Sequence, residues 1–246
     1  MGLEIALAVV GGLIALVAAA SGITSLWLTV KYFRYNRLEN SLGLSGIDIA
    51  RKILDDNGLE HIKVKRTGSL LFGNSYSHYF KKVRLRGLIR HETSLTSIGI
   101  GAQKASLAIL DKEGDPDMIK RVRLVPIITF GPFAFIPLII IGAVIDFFLF
   151  NQNGVITIVL AALGLLFYAY SVVLSVMTLK TEKKAQEKAY DILENTYHIT
   201  PEELSALKEI FRLYNIQYIN DIILSSLELL YRVLEIAIAI NNGKHD

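Results

Sequence analysis

The stretch from Leu3 to Val30 constrains this chain more than any other: it holds one ionisable side chain, Glu4, and is otherwise apolar or small and hydroxylated. As a helix rising about 1.5 Å per residue, it is long enough to cross a hydrocarbon layer about 30 Å thick. Ala18-Ala19-Ala20-Ser21-Gly22 resembles a signal-peptidase site. A basic n-region is missing, however, and the apolar run is too long for a cleaved leader, so the expectation is a retained membrane helix.

Two more apolar runs follow, from about Leu124 to Phe150 and from about Val155 to Leu179. The first contains Pro126, Gly131, Pro132 and Pro137, which predicts a bent or irregular entry into the membrane. Only Asn151-Gln152-Asn153-Gly154 separates the two runs, an uncharged turn signal that makes them an antiparallel hairpin. Hydrophobic residues make up 52% of the chain, more apolar surface than a water-soluble domain hides.

The basic clusters all fall on one side of these spans. Lys31, Arg34 and Arg37 follow the first, Lys120, Arg121 and Arg123 precede the second, and Lys180, Lys183 and Lys184 follow the third. The positive-inside rule then puts residues 31–123 and 180 onward in the cytoplasm of a multi-pass cell-membrane protein. Asp146, inside the second span, is expected near its outer end within reach of interfacial water; alone it provides no polar path for transport.

A net charge of +3 gives no argument for nucleic acid as a partner, and the absence of cysteine leaves any metal site to histidine and carboxylate. The five histidines, His61, His78, His91, His198 and His245, are scattered, and none lies four residues from another. His91-Glu92 begins like a zinc motif, but Leu95 stands where a second imidazole is needed.

Between the first two spans, Ser45 is a predicted N-cap and Gly58 a stop for a short helix whose buried stripe is Ile47, Ala50, Ile53 and Leu54. Alternation over 61–65 and 79–85, with a turn at Thr67-Gly68, predicts a small sheet or hairpin with its basic residues on the wet face. The run from about Thr93 to Leu110 is a helix rich in Gly, Ala and Ser, a composition that permits close packing. The third span is expected to continue as helix through Glu194, and Thr200-Pro201-Glu202-Glu203 is a capping box for another start. A last helix, about Ile219 to Ile240, sets Asp221, Glu228, Arg232 and Glu235 on one face. It is expected to pack on the hairpin or lie in the interface, with a fourth span as the alternative. The fold class is therefore a mainly α integral membrane protein. Its parts are an N-terminal transmembrane anchor (1–37), a small α+β cytoplasmic domain (38–123), a transmembrane helical hairpin (124–180) and a C-terminal helical region completing the domain (181–246).

Several segments, in order, resemble the YugP-type membrane zinc metallopeptidases. They are Ser45-Gly46-x-Asp48-Ile49-Ala50-Arg51-Lys52-Ile53-Leu54-Asp55-x-Asn57-Gly58-Leu59, Tyr76, Lys81-x-Val83-Arg84-Leu85, Ser94-Leu95-x-x-Ile98-Gly99-Ile100-x-Ala102, Leu124-Val125-Pro126, Gly131, Pro137-Leu138 and Ile141-Gly142. In that family the segment ending at Ala102 runs directly into His-Glu-x-x-His, where two imidazoles one helical turn apart bind zinc and the glutamate is the general base. Here Gln103 and Leu107 occupy the histidine positions and Lys104 the general-base position. The resemblance carries the third ligand over to Glu182, which is retained. The family's Thr-Asp-His-Tyr-Asp stretch appears as Gly73-Asn74-Ser75-Tyr76-Ser77, without its acidic and imidazole groups.

These losses imply a catalytically inactive relative that binds a membrane-protein segment or partner beside the lipid bilayer and needs no cofactor. The alternative is a metallopeptidase holding zinc at a non-standard site built from Glu182 with histidines such as His78 and His91. Removing zinc would leave the Glu182 carboxylate to be neutralised, so an ion pair of Lys104 with Glu182, with Gln103 hydrogen-bonding, is the expected structural substitute; the alternative is that both are solvated charges on helix ends.

Overall fold

The computed structural model describes residues 2–67, 73–87, 92–128, 131–149 and 154–242, and these are mostly helical. In chain order they form α1 (Gly2–Tyr35), α2 (Gly46–Asp56), β1 (Lys63–Arg66), β2 (Ser75–Ser77), β3 (Lys82–Leu85), α3 (Leu95–Lys112) and α4 (Pro116–Ile128). After these come α5 (Gly131–Leu149), α6 (Val155–Asp191), a π-helical turn (Ile192–Thr196) and α7 (Pro201–Asn242). The expected turns at Gly68 and at 151–153, and the histidines His91 and His245, lie outside the described residues.

Among the described residues, α1 and α6 are long and apolar enough to cross a bilayer. The most apolar window of α1 has a mean hydropathy of 2.4, yet only 6% of it is buried by protein. Leu16, Ile23 and Leu26 point outward, each about two-thirds exposed. Such a surface suits lipid, whereas a core helix of a water-soluble protein would be buried. Where the sequence predicts a single bent second span, the chain forms two helices, α4 ending at Ile128 and α5 starting at Gly131. Pro132 sits in the first turn of α5, where a missing N–H costs nothing, and Pro137 lies inside that helix. The apolar part of α5, Phe135–Phe148, is shorter than the other two.

The chain packs as two units, one formed by Met1–Ile23, Arg123–Met177 and Tyr218–Asp246, the other by Thr24–Val122 and Thr178–Gln217. In the apolar unit α5 and α6 run antiparallel at backbone contact. A Cβ on Gly142 would lie 2.6 Å from Thr157 Cα, and one on Gly164 would lie 3.1 Å from Phe135 Cα. Asp146 does not face interfacial water as the sequence suggests. It is buried, accepting from the Ile156 N–H (3.1 Å), the Thr157 N–H (2.7 Å) and the Thr157 hydroxyl (2.7 Å), and so caps the start of α6. The predicted last helix is the second half of one 42-residue helix, α7. Its polar face meets protein: Ser21 Oγ of α1 donates to Asp221 at 3.4 Å, and Tyr168 Oη of α6 donates to Glu228 at 2.7 Å.

In the sheet-bearing unit, α2 starts as predicted. The Ser45 side chain accepts from the Asp48 N–H while the Asp48 carboxylate accepts from the Ser45 N–H, and Gly58, with φ +64°, follows the end. The buried stripe is Gly46, Ile49, Ala50, Ile53 and Leu54, with Ile49 rather than Ile47 turned inward. Strand order is β1-β3-β2: β2 and β3 form the hairpin, and β1 joins the other edge of β3 in parallel. Tyr79 and Phe80, expected in a strand, belong instead to the hairpin turn.

The unit is organised around α3, in which every residue from Leu95 to Leu110 is buried. Its composition follows from that position. A Cβ at Gly101 would lie 2.4 Å from the Gly46 carbonyl oxygen, so α2 crosses α3 backbone to backbone. Ser94 caps its start by accepting from the Ser97 N–H. The core combines Ile49, Ile53 and Leu54 of α2, Val83 and Leu85 of β3, Ile98 and Ile109 of α3, and Leu207 and Phe211 of α7. A fully buried Leu or Ile contributes roughly 1.5–3 kcal/mol, so this cluster is the main source of the unit's stability. The box at Thr200 also forms, with Glu203 accepting from the Thr200 N–H and Thr200 Oγ1 from the Glu203 N–H.

Candidate functional site

Gln103 and Lys104 project from the middle of α3, and Glu182 from α6 three residues past the apolar run that ends at Leu179. Lys104 Nζ donates to Glu182 Oε2 at 2.7 Å, and Gln103 Nε2 donates to the same oxygen at 3.1 Å. The other oxygen, Oε1, accepts from Arg121 of α4 at 2.9 Å. A second guanidinium nitrogen of Arg121 donates to Thr181 Oγ1 at 2.9 Å. All three charged side chains are largely enclosed: Lys104 is 11% exposed, Arg121 15% and Glu182 17%.

Two cations on one carboxylate decide the electrostatics. Burial by itself would raise the Glu182 pKa, but the charges of Lys104 and Arg121 and their hydrogen bonds outweigh it and bring the group down to about 2. Such a triad ties α3, α4 and α6 together with one positive charge in excess. Each donor is charge-assisted, the stronger class of hydrogen bond.

Leu107 is part of a small apolar cluster with Leu110, Met118 and Ala185, against which Tyr76 and Val122 pack. Thus the position one turn beyond Gln103 is filled by hydrocarbon. Two turns beyond Lys104, the Asp111 carboxylate accepts from Tyr76 Oη at 2.6 Å, and His78 Nδ1 lies 2.6 Å from the same oxygen.

Zinc does not fit the donors present here. Both Glu182 oxygens are engaged by cations, the neighbouring side chains at 103, 104 and 107 are an amide donor, an ammonium and a leucine, and His78 is held by Asp111. Among the described residues no group of three or more His, Cys, Asp or Glu side chains is placed to hold a metal. Lys104 in this pairing is not a general base, since an ammonium in an ion pair has no lone pair with which to take a proton from water.

The structure brings Gln103, Lys104 and Glu182 together and adds two residues that the sequence reading missed as site members, Arg121 and Thr181. Arg121 was legible only as one of three charges ahead of an apolar run. Its pairing requires α4 to lie across α6, which no local pattern encodes. Lys180 and Lys184 are likewise not bare charges: Lys184 lies 2.6 Å from both Asp115 and Asp117, and Lys180 lies 3.0 Å from Asp117.

No solved structure matches the chain. Among curated proteins it is similar to the "Putative membrane protease YugP" of Bacillus subtilis (strain 168), at 25% identity over 223 residues, which cover 89% of this chain and 94% of the relative. The sequence model described as "Putative neutral zinc metallopeptidase" matches residues 10–237, and with so much of its length inside that match the chain belongs to this family.

Proposed function

We propose that this chain is a non-catalytic member of its family, a multi-pass membrane protein whose peptidase-like domain, on the cytoplasmic side, binds a segment of another membrane protein without cutting it. The observation that carries the reading is the state of Glu182, whose two oxygens are taken up by Lys104, Gln103 and Arg121. A carboxylate that already accepts from two cations and an amide is poorly suited to hold a further cation, and Lys104 stands where the family's general base would be. The cytoplasmic assignment rests on the basic clusters at 31–37, 120–123 and 180–184. The domain limits proposed are those read from the sequence, 38–123 with its completion after 180.

Metal content of the purified full-length protein tests the first part. We expect zinc well below one equivalent, unchanged in Glu182→Ala, and no proteolysis of membrane-protein substrates. Stoichiometric zinc that disappears in Glu182→Ala would overturn the reading in favour of a peptidase with a non-standard site. Binding is tested by a photoreactive side chain at position 183, exposed and next to Glu182, in cells. Adducts with a membrane-protein segment are expected, and yields no higher than from the exposed position Glu60 would sink that part.

A further inference from the structure

The sheet turns one face to the core and presents cations on the other. Register sets Lys63 beside Lys82 and Lys65 beside Arg84 across β1 and β3, with Ser77 and Ser75 of β2 opposite Lys82 and Arg84. Side chains alternate along a strand, so these six share a face. Val83 and Leu85, both fully buried, occupy the other. Partial desolvation first, and then the like charges of Arg84 and Lys65, push the Lys82 pKa below the ordinary lysine range.

Beside this face lies the turn from His78 to Lys81, in which Lys81 takes φ +44°. The turn is fastened by its first two residues: His78 sits on Asp111, and Tyr79 Oη donates to the Val122 carbonyl at 3.1 Å. Val122 is followed directly by Arg123 and by the apolar run from Leu124. The turn is therefore pinned to the point at which the chain leaves water. Phe80 stands at its tip, 67% exposed, with Lys82 Nζ 4.5 Å and the Arg84 guanidinium carbon 5.7 Å from its ring centre. An aromatic ring flanked by cations at such a level suits the lipid headgroup zone, where the ring leaves water and the charges meet phosphate.

We infer that this turn and the outward sheet face seat on an anionic phospholipid leaflet, with Phe80 entering the interface and Lys63, Lys65, Lys82 and Arg84 meeting lipid phosphates. An acidic protein segment would answer the charges but gives no reason for the exposed ring or for its fastening to Val122. The seat is independent of whether Glu182 holds zinc.

Trp27 is the only tryptophan in the sequence, so full-length protein carrying Trp27→Phe and Phe80→Trp reports on one position. The protein is reconstituted in phosphatidylcholine bilayers with or without phosphatidylglycerol, with bromine placed high on the acyl chains. We expect blue-shifted emission and bromine quenching with phosphatidylglycerol, falling about twofold or more when that lipid is omitted or when Lys63, Lys65, Lys82 and Arg84 become Gln. If the fourfold variant fails to fold, Lys63→Gln with Lys65→Gln on edge strand β1 carries the same test. Water-like emission without quenching overturns the inference, as does quenching indifferent to phosphatidylglycerol and to the charge variants. So does protection of residue 80 by an added acidic peptide alone, which would assign the face to protein.

Discussion

Lys104 and Glu182 stand 78 residues apart in sequence and 2.7 Å apart in space, an ion pair between α3 and α6 with little water around it. Breaking a buried pair costs more than making it gains, because the survivor keeps its desolvation penalty. Glu182→Ala, which strands both Lys104 and Arg121, is expected to destabilise the protein by about 3–5 kcal/mol, whereas Lys104→Met leaves Arg121 and Gln103 in place and costs less. Thermal denaturation in detergent orders the two variants; equal or reversed effects would contradict the shared carboxylate.

The same group sets an acid limit. The Glu182 pKa falls from an ordinary 4.5 to about 2 in the folded protein, so between these values the unfolded chain binds the extra proton and stability rises with pH. The contribution is complete above about pH 4.5 and is lost as pH falls through about 2, a change of roughly 3 kcal/mol. The melting temperature of the wild type should drop across this window more steeply than that of Glu182→Gln. Parallel curves would show that other carboxylates govern acid unfolding.

Family chemistry should be recoverable by design, because i and i+4 positions of α3 already face Glu182 and its neighbours. On the proposed reading, Gln103→His, Lys104→Glu and Leu107→His would restore the metal pair and the base, but Arg121 still occupies Oε1. The triple variant is expected to bind little zinc, and adding Arg121→Ala should raise the content to about one ion per chain. Metal analysis decides it: no zinc in the fourfold variant would mean that the backbone of α3 and α6 has moved away from a metal-binding spacing.

How much of this was legible in advance varies with the range of the interaction. Ser45, Gly58 and Thr200 announce helix ends because a cap is made within four residues, and the structure has those caps. The apolar lengths of α1 and α6 are equally local. In contrast, Ile49 displaced Ile47 from the α2 stripe because α3 crosses at Gly101, a contact between segments some fifty residues apart. The β1 pairing went to the far edge of β3 because Ser75–Ser77, a strand too short to read as a pattern, took the hairpin edge. Asp146 shows the same limit. Its distance from the end of a span suggested water, but its partners are the N–H groups of the next helix.

Glycine positions give a direct test of those crossings. Gly101→Ala drives a methyl group to 2.4 Å from the Gly46 carbonyl, and should cost about 1–3 kcal/mol or abolish folding. Gly142→Ala meets the Thr157 backbone in the same way. Gly12→Ala, with nothing within 4 Å, should leave the melting temperature unchanged.

Asp146→Ala removes three acceptor contacts from the first turn of α6, while Asp146→Asn keeps a carbonyl acceptor. The alanine variant should melt lower than the asparagine variant, and both lower than wild type. Indifference to either change would show that water replaces the cap.

Because α3 is enclosed on every side, its centre has to be filled by protein or by a bound group. The strut from α3 to α6 is made of side chains that arrive with translation, and it needs no delivery from outside. On the proposed reading, a chain built in this way keeps its shape when a chelator strips the medium or when the cell runs short of a nutrient ion. On that reading its folding is uncoupled from trace-element supply.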